Sequence, residues 1–338
     1  MGTKVIENGR RKRKNKTEMM ILVLLVICTA TTIGLYAILT WGTTAPLPAH
    51  ASTHTPENVA TSESAATLED VVLPAPLPQM NVLLNSANAL LINFHSGEIL
   101  HYQNGGEKMY PASLVKMMTA LVAIENINNL NEMVILDEAI FAPIHAANAT
   151  TAGFLPGESV RAIDLLFGLL LPSGAECAVG LATHVAGSEN AFVIMMNDRA
   201  NELGMNNTNF TNTTGLHDSN QYSTVADMAT LLMYALGNET FKQIISTSRH
   251  STADTGLRPG GITFHSTLFS RMASPEFPGG TILGGRTGFT DQAGQNLASF
   301  AYRNGSKYIF VTSGAQANGN HLTQALHIDD AFTMFGLL

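Results

Sequence analysis

Two cysteines, one tryptophan and a charged fraction of 13% limit the fold before any motif is read. Cys28 lies inside an apolar run and Cys177 in a helical, apolar context, so no disulfide framework is available and a globular domain must be held by its core. The eleven histidines contain no His-Glu-x-x-His pattern and have no cysteine partners, which argues against a catalytic metal. No Gly-rich phosphate loop stands out, and no cofactor is expected. Basic residues are scarce beyond the first 41 positions. Those positions hold Lys4, Arg10, Arg11, Lys12, Arg13, Lys14 and Lys16, leaving 11 basic and 24 acidic residues in the remainder, a formal charge near −13. Nucleic acid is thereby excluded as a partner, because phosphate recognition needs a basic face.

What the N-terminus does have is a topology signal. A basic tail over residues 1–18 precedes an uncharged run from Met19 to Trp41, about 23 residues and long enough to cross a bilayer as a helix. Basic residues stay on the cytoplasmic side, so the rest of the chain is expected outside the cell, anchored to the membrane by this single helix. The other reading is a cleaved secretory signal, for which Ala49-His50-Ala51 offers a small-x-small site; it would release a secreted protein. Residues 42–79 are rich in Ala, Thr, Ser and Pro and end in Leu73-Pro74-Ala75-Pro76-Leu77-Pro78, a composition expected of an extended spacer.

The remaining stretch, 80–338, reads as one exported domain. Ala87–Ile92 and Ile99–Tyr102 flank the turn signal His95-Ser96-Gly97-Glu98 and predict a hairpin. Apolar periodicity predicts helices over Val160–Leu171, with Ser159 as N-cap, and over Ala175–Val185, Ala191–Leu203 and Val225–Leu236. Strand-like segments return at Ile262–Phe269, Thr281–Gly285, Asn296–Tyr302 and Lys307–Thr312, before a final helix over Leu322–Phe335. Strands at both ends of a helical middle predict an α/β (α+β) domain: an antiparallel sheet whose first and last strands meet, flanked by helices, with a helical subdomain.

Within this domain Tyr110-Pro111-Ala112-Ser113-Leu114-Val115-Lys116 reads as the start of a helix, and residues three apart share a helix face. The Lys116 amine can therefore hang beside the Ser113 hydroxyl as its base, provided that burial or a second cation keeps it neutral. Helix-start N–H groups suit the negative charge of an acyl-transfer intermediate. The plain alternative is an amphipathic helix with Leu114, Met117, Met118, Leu121 and Val122 in the core and Lys116 solvated. Two later segments add to the first: Pro172-Ser173-Gly174-Ala175-Glu176 between two predicted helices, and Gly285-Arg286-Thr287-Gly288-Phe289-Thr290 in the strand region.

Ser-x-x-Lys, then a Ser-x-Asn-like element, then an Arg-Thr-Gly in place of Lys-Thr-Gly resembles the motif set of the penicillin-binding proteins and serine β-lactamases. From about Asn88 to Phe335, including Thr208–Asp218 and Tyr222–Leu232, the chain is most similar to the D-alanyl-D-alanine carboxypeptidases among the low-molecular-mass penicillin-binding proteins. The resemblance implies peptidoglycan stem peptides ending in D-Ala-D-Ala as substrates and β-lactam antibiotics as covalent inhibitors. It implies Ser113 as nucleophile, Lys116 as its base, Ser173 as proton relay, and backbone N–H groups of Ser113 and Phe289 as oxyanion donors. Arg286, Thr287 and Thr290 would face the substrate's terminal carboxylate, with Gly288 and Phe289 on the same strand, and Arg286 would depress the Lys116 pKa. Two departures bear on rate. Arg286 keeps the charge of the usual lysine and adds a planar fork. Ala175 lacks the amide of the usual asparagine, and Glu176 would point elsewhere on a helix. No arginine occurs in Phe310–Gln316 for the carboxylate contact that relatives make there. A β-lactamase would need a base that activates water, and Asn206–Asn220 contains no glutamate. A weakened peptidoglycan-binding descendant is the third reading, motivated by Ala175.

Overall fold

The apolar runs at the two ends of the domain meet in one sheet. In the computed structural model, which describes residues 78–316 and 323–338, β1 (Asn88–Asn93) and β2 (Ile99–Gln103) form the expected hairpin. β1 then pairs antiparallel with β10 (Ser306–Ala315), followed across the sheet by β9 (Gly294–Arg303), β8 (Gly280–Thr290) and β7 (Glu276–Phe277). The order is β2-β1-β10-β9-β8-β7, antiparallel throughout.

Successive side chains on a strand point to opposite faces, and here both faces are covered. Leu90, Ile92, Ala298, Phe300, Ile309 and Val311 enter one core. Their neighbours Ala89, Leu91, Leu297, Ala301 and Phe310 enter a second core on the other face. This two-sided burial explains why the strands read as continuous apolar runs without polar alternation.

The first face carries α1 (Val115–Asn126), α3 (Ala162–Leu170), α4 (Ala175–Ala186), α5 (Glu189–Glu202), α6 (Val225–Ala235) and α7 (Glu239–Ile245). Side-chain caps start three of them: Ser188, Thr224 and Asn238 accept the N–H groups of Ala191, Asp227 and Phe241. The helix α1 is buried on all sides from Val115 to Ala123, so it is a core helix. The second face is covered by α8 (Leu326–Gly336) through Ile328, Ala331, Met334 and Phe335. A short α2 (Phe141–Ala146) and two small two-stranded sheets, β3 (Met133–Ile135) with β4 (Ser159–Arg161) and β5 (Arg249–Ser251) with β6 (Thr263–His265), lie beside these elements.

Two expectations are corrected. Ser159 does not cap a helix: it pairs with Ile135 in β4, and α3 begins after Arg161, because the wholly buried Val160 pairs with Val134 of β3. The strand expected over Ile262–Phe269 ends at His265, where Ser266 caps a turn through Leu268 N–H and the chain coils into a 3-10 turn over Phe269–Arg271. The basic tail, the Met19–Trp41 run and the spacer as far as residue 77 lie outside the described residues. Among the described residues no helix is long and apolar enough to cross a membrane.

Candidate active site

Ser113 sits in a 3-10 turn, Ala112–Leu114, that leads directly into α1. The turn is entered through Ala112 at φ 47°, a left-handed conformation costly for a residue with a Cβ. It persists because it is pinned from both sides. Asn296 Nδ2 donates to the Tyr110 carbonyl at 2.8 Å, and Leu114 N–H returns to Pro111 O at 3.1 Å. One helical turn on, Lys116 Nζ lies 3.4 Å from Ser113 Oγ.

Ser173 occupies the connection between α3 and α4, also at positive φ, 81°. Pro172 cannot continue α3, and the chain must reverse before α4 begins at Ala175. The reversal brings Ser173 Oγ within 3.1 Å of Ser113 Oγ. From β8, Arg286 reaches the same place. Its guanidinium donates to Ser173 Oγ, to Leu170 O at 2.6 Å and to Ser113 O at 3.3 Å. Four side chains from three separate segments thus meet, with Lys116 and Ser173 touching the Ser113 hydroxyl and Arg286 touching that of Ser173.

Electrostatics follow from enclosure. Lys116 is 3% exposed, so the alternative in which it is solvated fails. Burial, and after it the Arg286 charge, bring its pKa down from 10.5 to about 7. Arg286 is itself lowered by burial to about 9 and remains cationic at neutral pH. Lys116 is therefore an amine that is neutral for a sizeable fraction of the time at pH 7, with a permanent cation behind it.

The other expected residues are distributed along β8. Thr287 is half-buried, its hydroxyl 2.8 Å from that of Thr267. Gly288 leaves room where a Cβ would come within 3.1 Å of Ser113 N, so any side chain there would press on the Ser113 backbone. Phe289 and Thr290 pair with Gln295 and Gly294 of β9, and Thr290 Oγ1 accepts Ala293 N–H at 3.1 Å. Arg286 differs from its neighbours: at 1% exposure its fork is enclosed by carbonyls and Ser173, so it lies behind the site instead of lining it. Ala175 is buried with no polar side-chain atom. Glu176 is turned away from Ser113, with Oε1 accepting the N–H groups of Ala152 and Gly153 at 2.7 and 2.9 Å. Burial raises its pKa against those hydrogen bonds.

Motif reading missed residues that act through backbone. Lys116 Nζ donates to the Thr214 carbonyl, a contact no side-chain pattern encodes. That carbonyl is held in place because Glu189 accepts Thr213 N–H and Oγ–H, Thr119 donates to Thr213 O, and Asn212 Oδ1 accepts the N–H groups of Thr214 and Gly215. Gly215, at φ 78°, lies so close to Ala112 that a Cβ would sit 2.0 Å from its carbonyl oxygen. The Thr-Gly pair inside an Asn/Thr-rich stretch was the available signal. Asn296, wholly buried in a strand, was the other.

Comparison with known proteins agrees with this geometry. The chain is 29% identical over 251 residues to the D-alanyl-D-alanine carboxypeptidase DacF of Bacillus subtilis, covering 73% of this chain and 62% of that one. It is 31% identical over 235 residues to DacC of Escherichia coli, covering 68% and 56%. The match thus spans about 60% of the length of these relatives. The crystal structure of a Streptomyces DD-transpeptidase superposes with a TM-score of 0.66 at 25% identity, over 76% of this chain and 99% of that one. Residues 77–317 match the family described as D-alanyl-D-alanine carboxypeptidase. With its serine, lysine and arginine drawn together from the three motif segments, the chain belongs to the D-alanyl-D-alanine carboxypeptidase family.

Proposed function

We propose that this protein is a serine D,D-carboxypeptidase that removes the terminal D-alanine from peptidoglycan stem peptides. The observation that carries this reading is the Ser113 hydroxyl lying within reach of both Ser173 Oγ and a Lys116 amine whose pKa is about 7. Ser113 Oγ attacks the carbonyl carbon of the last peptide bond as its proton passes to neutral Lys116. The oxyanion is met by the N–H groups of Ser113 and Phe289. The proton moves through Ser173 to the leaving amine, the C–N bond breaks, and free D-alanine departs. Water then attacks the Ser113 ester and releases the shortened peptide. Arg286 holds Ser173 and disfavours the protonated lysine, while Thr287 and Thr290 meet the substrate along the open edge of β8. β-Lactams, as strained amides, would acylate Ser113 and stay.

In this reading residues 80–338 are the catalytic domain, 42–79 the spacer and 19–41 the single-pass anchor, with the N-terminus cytoplasmic and the domain outside the cell. Cleavage after the apolar run would instead give a secreted enzyme. Ala175 supports one competing reading, a binding protein with weakened turnover.

Intact-mass analysis of the full-length chain incubated with benzylpenicillin, beside Ser113→Ala, tests the proposal. A serine-dependent adduct that is lost slowly is expected. Well-folded protein with no adduct would leave the binding reading, and a transient adduct with rapid drug hydrolysis would indicate a β-lactamase.

A further inference from the structure

The turn that carries Ser173 is poorly supported by its own residues. Ser173 is at φ 81°, and Gly174, the residue before α4, has no side chain to cap that helix, so the first N–H groups of α4 need an acceptor from elsewhere. A loop that precedes β4 supplies it. Thr150 O accepts Ala175 N–H at 2.8 Å, and the Ala152 methyl is seated against two glycines: a Cβ on Gly174 would stand 2.8 Å from it, and one on Gly168 3.2 Å. Gly174 N–H also donates to Gly168 O at 2.8 Å, so the last turn of α3 and the start of α4 close around this one methyl group.

Glu176, in the first turn of α4, reaches back to hold that loop. Its Oε1 accepts three successive N–H groups, those of Ala152, Gly153 and Phe154, at 2.7, 2.9 and 3.3 Å. The residue is wholly buried, and among the described residues its Oε2 has no hydrogen-bond partner. A buried charge is well compensated only when its lone pairs are filled, so this carboxylate is an expensive way to gain stability. What it fixes is geometry, because three donors converge on one atom. Arg258, from the connection between β5 and β6, donates to Gly153 O and gives the loop a second attachment that a change at Glu176 leaves in place.

We propose that Glu176 is a positioning residue for Ser173: its carboxylate clips the loop over residues 150–154 onto the first turn of α4, and the clipped loop keeps the Ser173 hydroxyl aligned with Ser113 and the leaving group. This rests on the acyl transfer proposed above, in which Ser173 passes the proton to the leaving amine.

The test uses two substrates that yield the same acyl-enzyme: lysyl-D-alanyl-D-alanine acetylated on both amines, and the thioester in which mercaptoacetate replaces its last D-alanine. An amine must receive a proton to leave, whereas a thiolate leaves as an anion, so a displaced Ser173 slows the first and spares the second. Values of kcat/KM are measured with the full-length wild type, Glu176→Gln and Glu176→Ala. Glutamine keeps the volume and one acceptor oxygen but removes the charge that makes such hydrogen bonds roughly twice as strong. Glu176→Gln is expected to lower kcat/KM for the amide by about tenfold, a part of the about 10²–10⁴-fold that a positioned proton donor contributes, and for the thioester by less than about twofold. Glu176→Ala should widen that gap, and hydrogen exchange at the Ala152–Phe154 amides should quicken in the same order. If the alanine variant does not fold, the glutamine ratio decides. Equal losses for amide and thioester would mean that Glu176 is merely structural, and an unchanged amide rate in Glu176→Gln would also overturn the proposal. A wild type that processes both substrates, with their ratio unmoved by the substitution, sinks the positioning role alone. One that processes neither and forms no penicillin adduct sinks the catalytic reading and this role with it.

Discussion

Asp330 and Lys116 are charged side chains almost out of water, 2% and 3% exposed, yet opposite faces of one sheet treat them in opposite ways. On the α8 face, the Asp330 carboxylate receives four donors. Asn85 N and Nδ2 reach it at 2.9 and 2.8 Å, and Ser86 N and Oγ at 2.9 and 2.6 Å. On the α1 face, the Lys116 ammonium has the Thr214 carbonyl, a long contact to Ser113 and a guanidinium as neighbour. Burial penalises both charges alike. Where donors compensate it, the charge ties the start of β1 to the last helix. Where a second cation aggravates it, the amine pKa falls, as the base proposed for Ser113 requires.

The sharpest way to break this comparison is to remove each charge and read activity and stability together. Lys116→Met should lower the penicillin acylation rate by about 10³-fold, within the range for loss of a general base, and should raise Tm, by about 2–4 °C for each kcal/mol of relieved burial penalty. A fall in Tm would mean that the lysine is a structural ion after all. Asp330→Ala should do the reverse, costing about 3 kcal/mol because several donors lose a charged acceptor, with acylation changed less than about twofold in the protein that remains folded. Urea denaturation beside acylation kinetics measures both.

A smaller effect comes from pH. Protonated Lys116 cannot accept the serine proton, so the acylation rate should rise with pH through a midpoint at about 7, the value to which burial and Arg286 bring it. Arg286→Gln keeps a donor and removes the cation, which relieves the repulsion, so the midpoint should move to higher pH by about one unit. A midpoint that stays in place would assign the low pKa to burial alone. The smallest change is expected from Ala175→Asn. One added hydrogen bond to substrate is worth about 1 kcal/mol, so kcat/KM should rise by no more than about fivefold, as D-alanine release would report.

Much of this architecture was legible in order along the chain. The hairpin at His95–Glu98, the helices after Ser173 and Thr224 and the long final strands emerge because periodicity and turn chemistry are local. Ser159 misled because a serine before an apolar run marks a helix start only when nothing pairs with it, and β3 does. At the site, the motif segments singled out Ser113, Lys116, Ser173 and Arg286 by residue type, and the structure brings these side chains together. They assigned Arg286 to the substrate's side of the cleft, whereas its guanidinium lies behind Ser173 among main-chain carbonyls.

The sequence by itself therefore determined which segments become strands and helices and which side chains are able to carry acyl transfer, because both are properties of short stretches. Only the tertiary structure decided that Lys116 is a buried amine with a lowered pKa, as the proposed base must be. Its proton affinity depends first on its burial in a helix enclosed on every side and then on Arg286, which also bonds Ser113 O across 173 residues. No local pattern encodes such distances, because a pKa reports everything within a few ångströms of the charge, however far along the chain it originates.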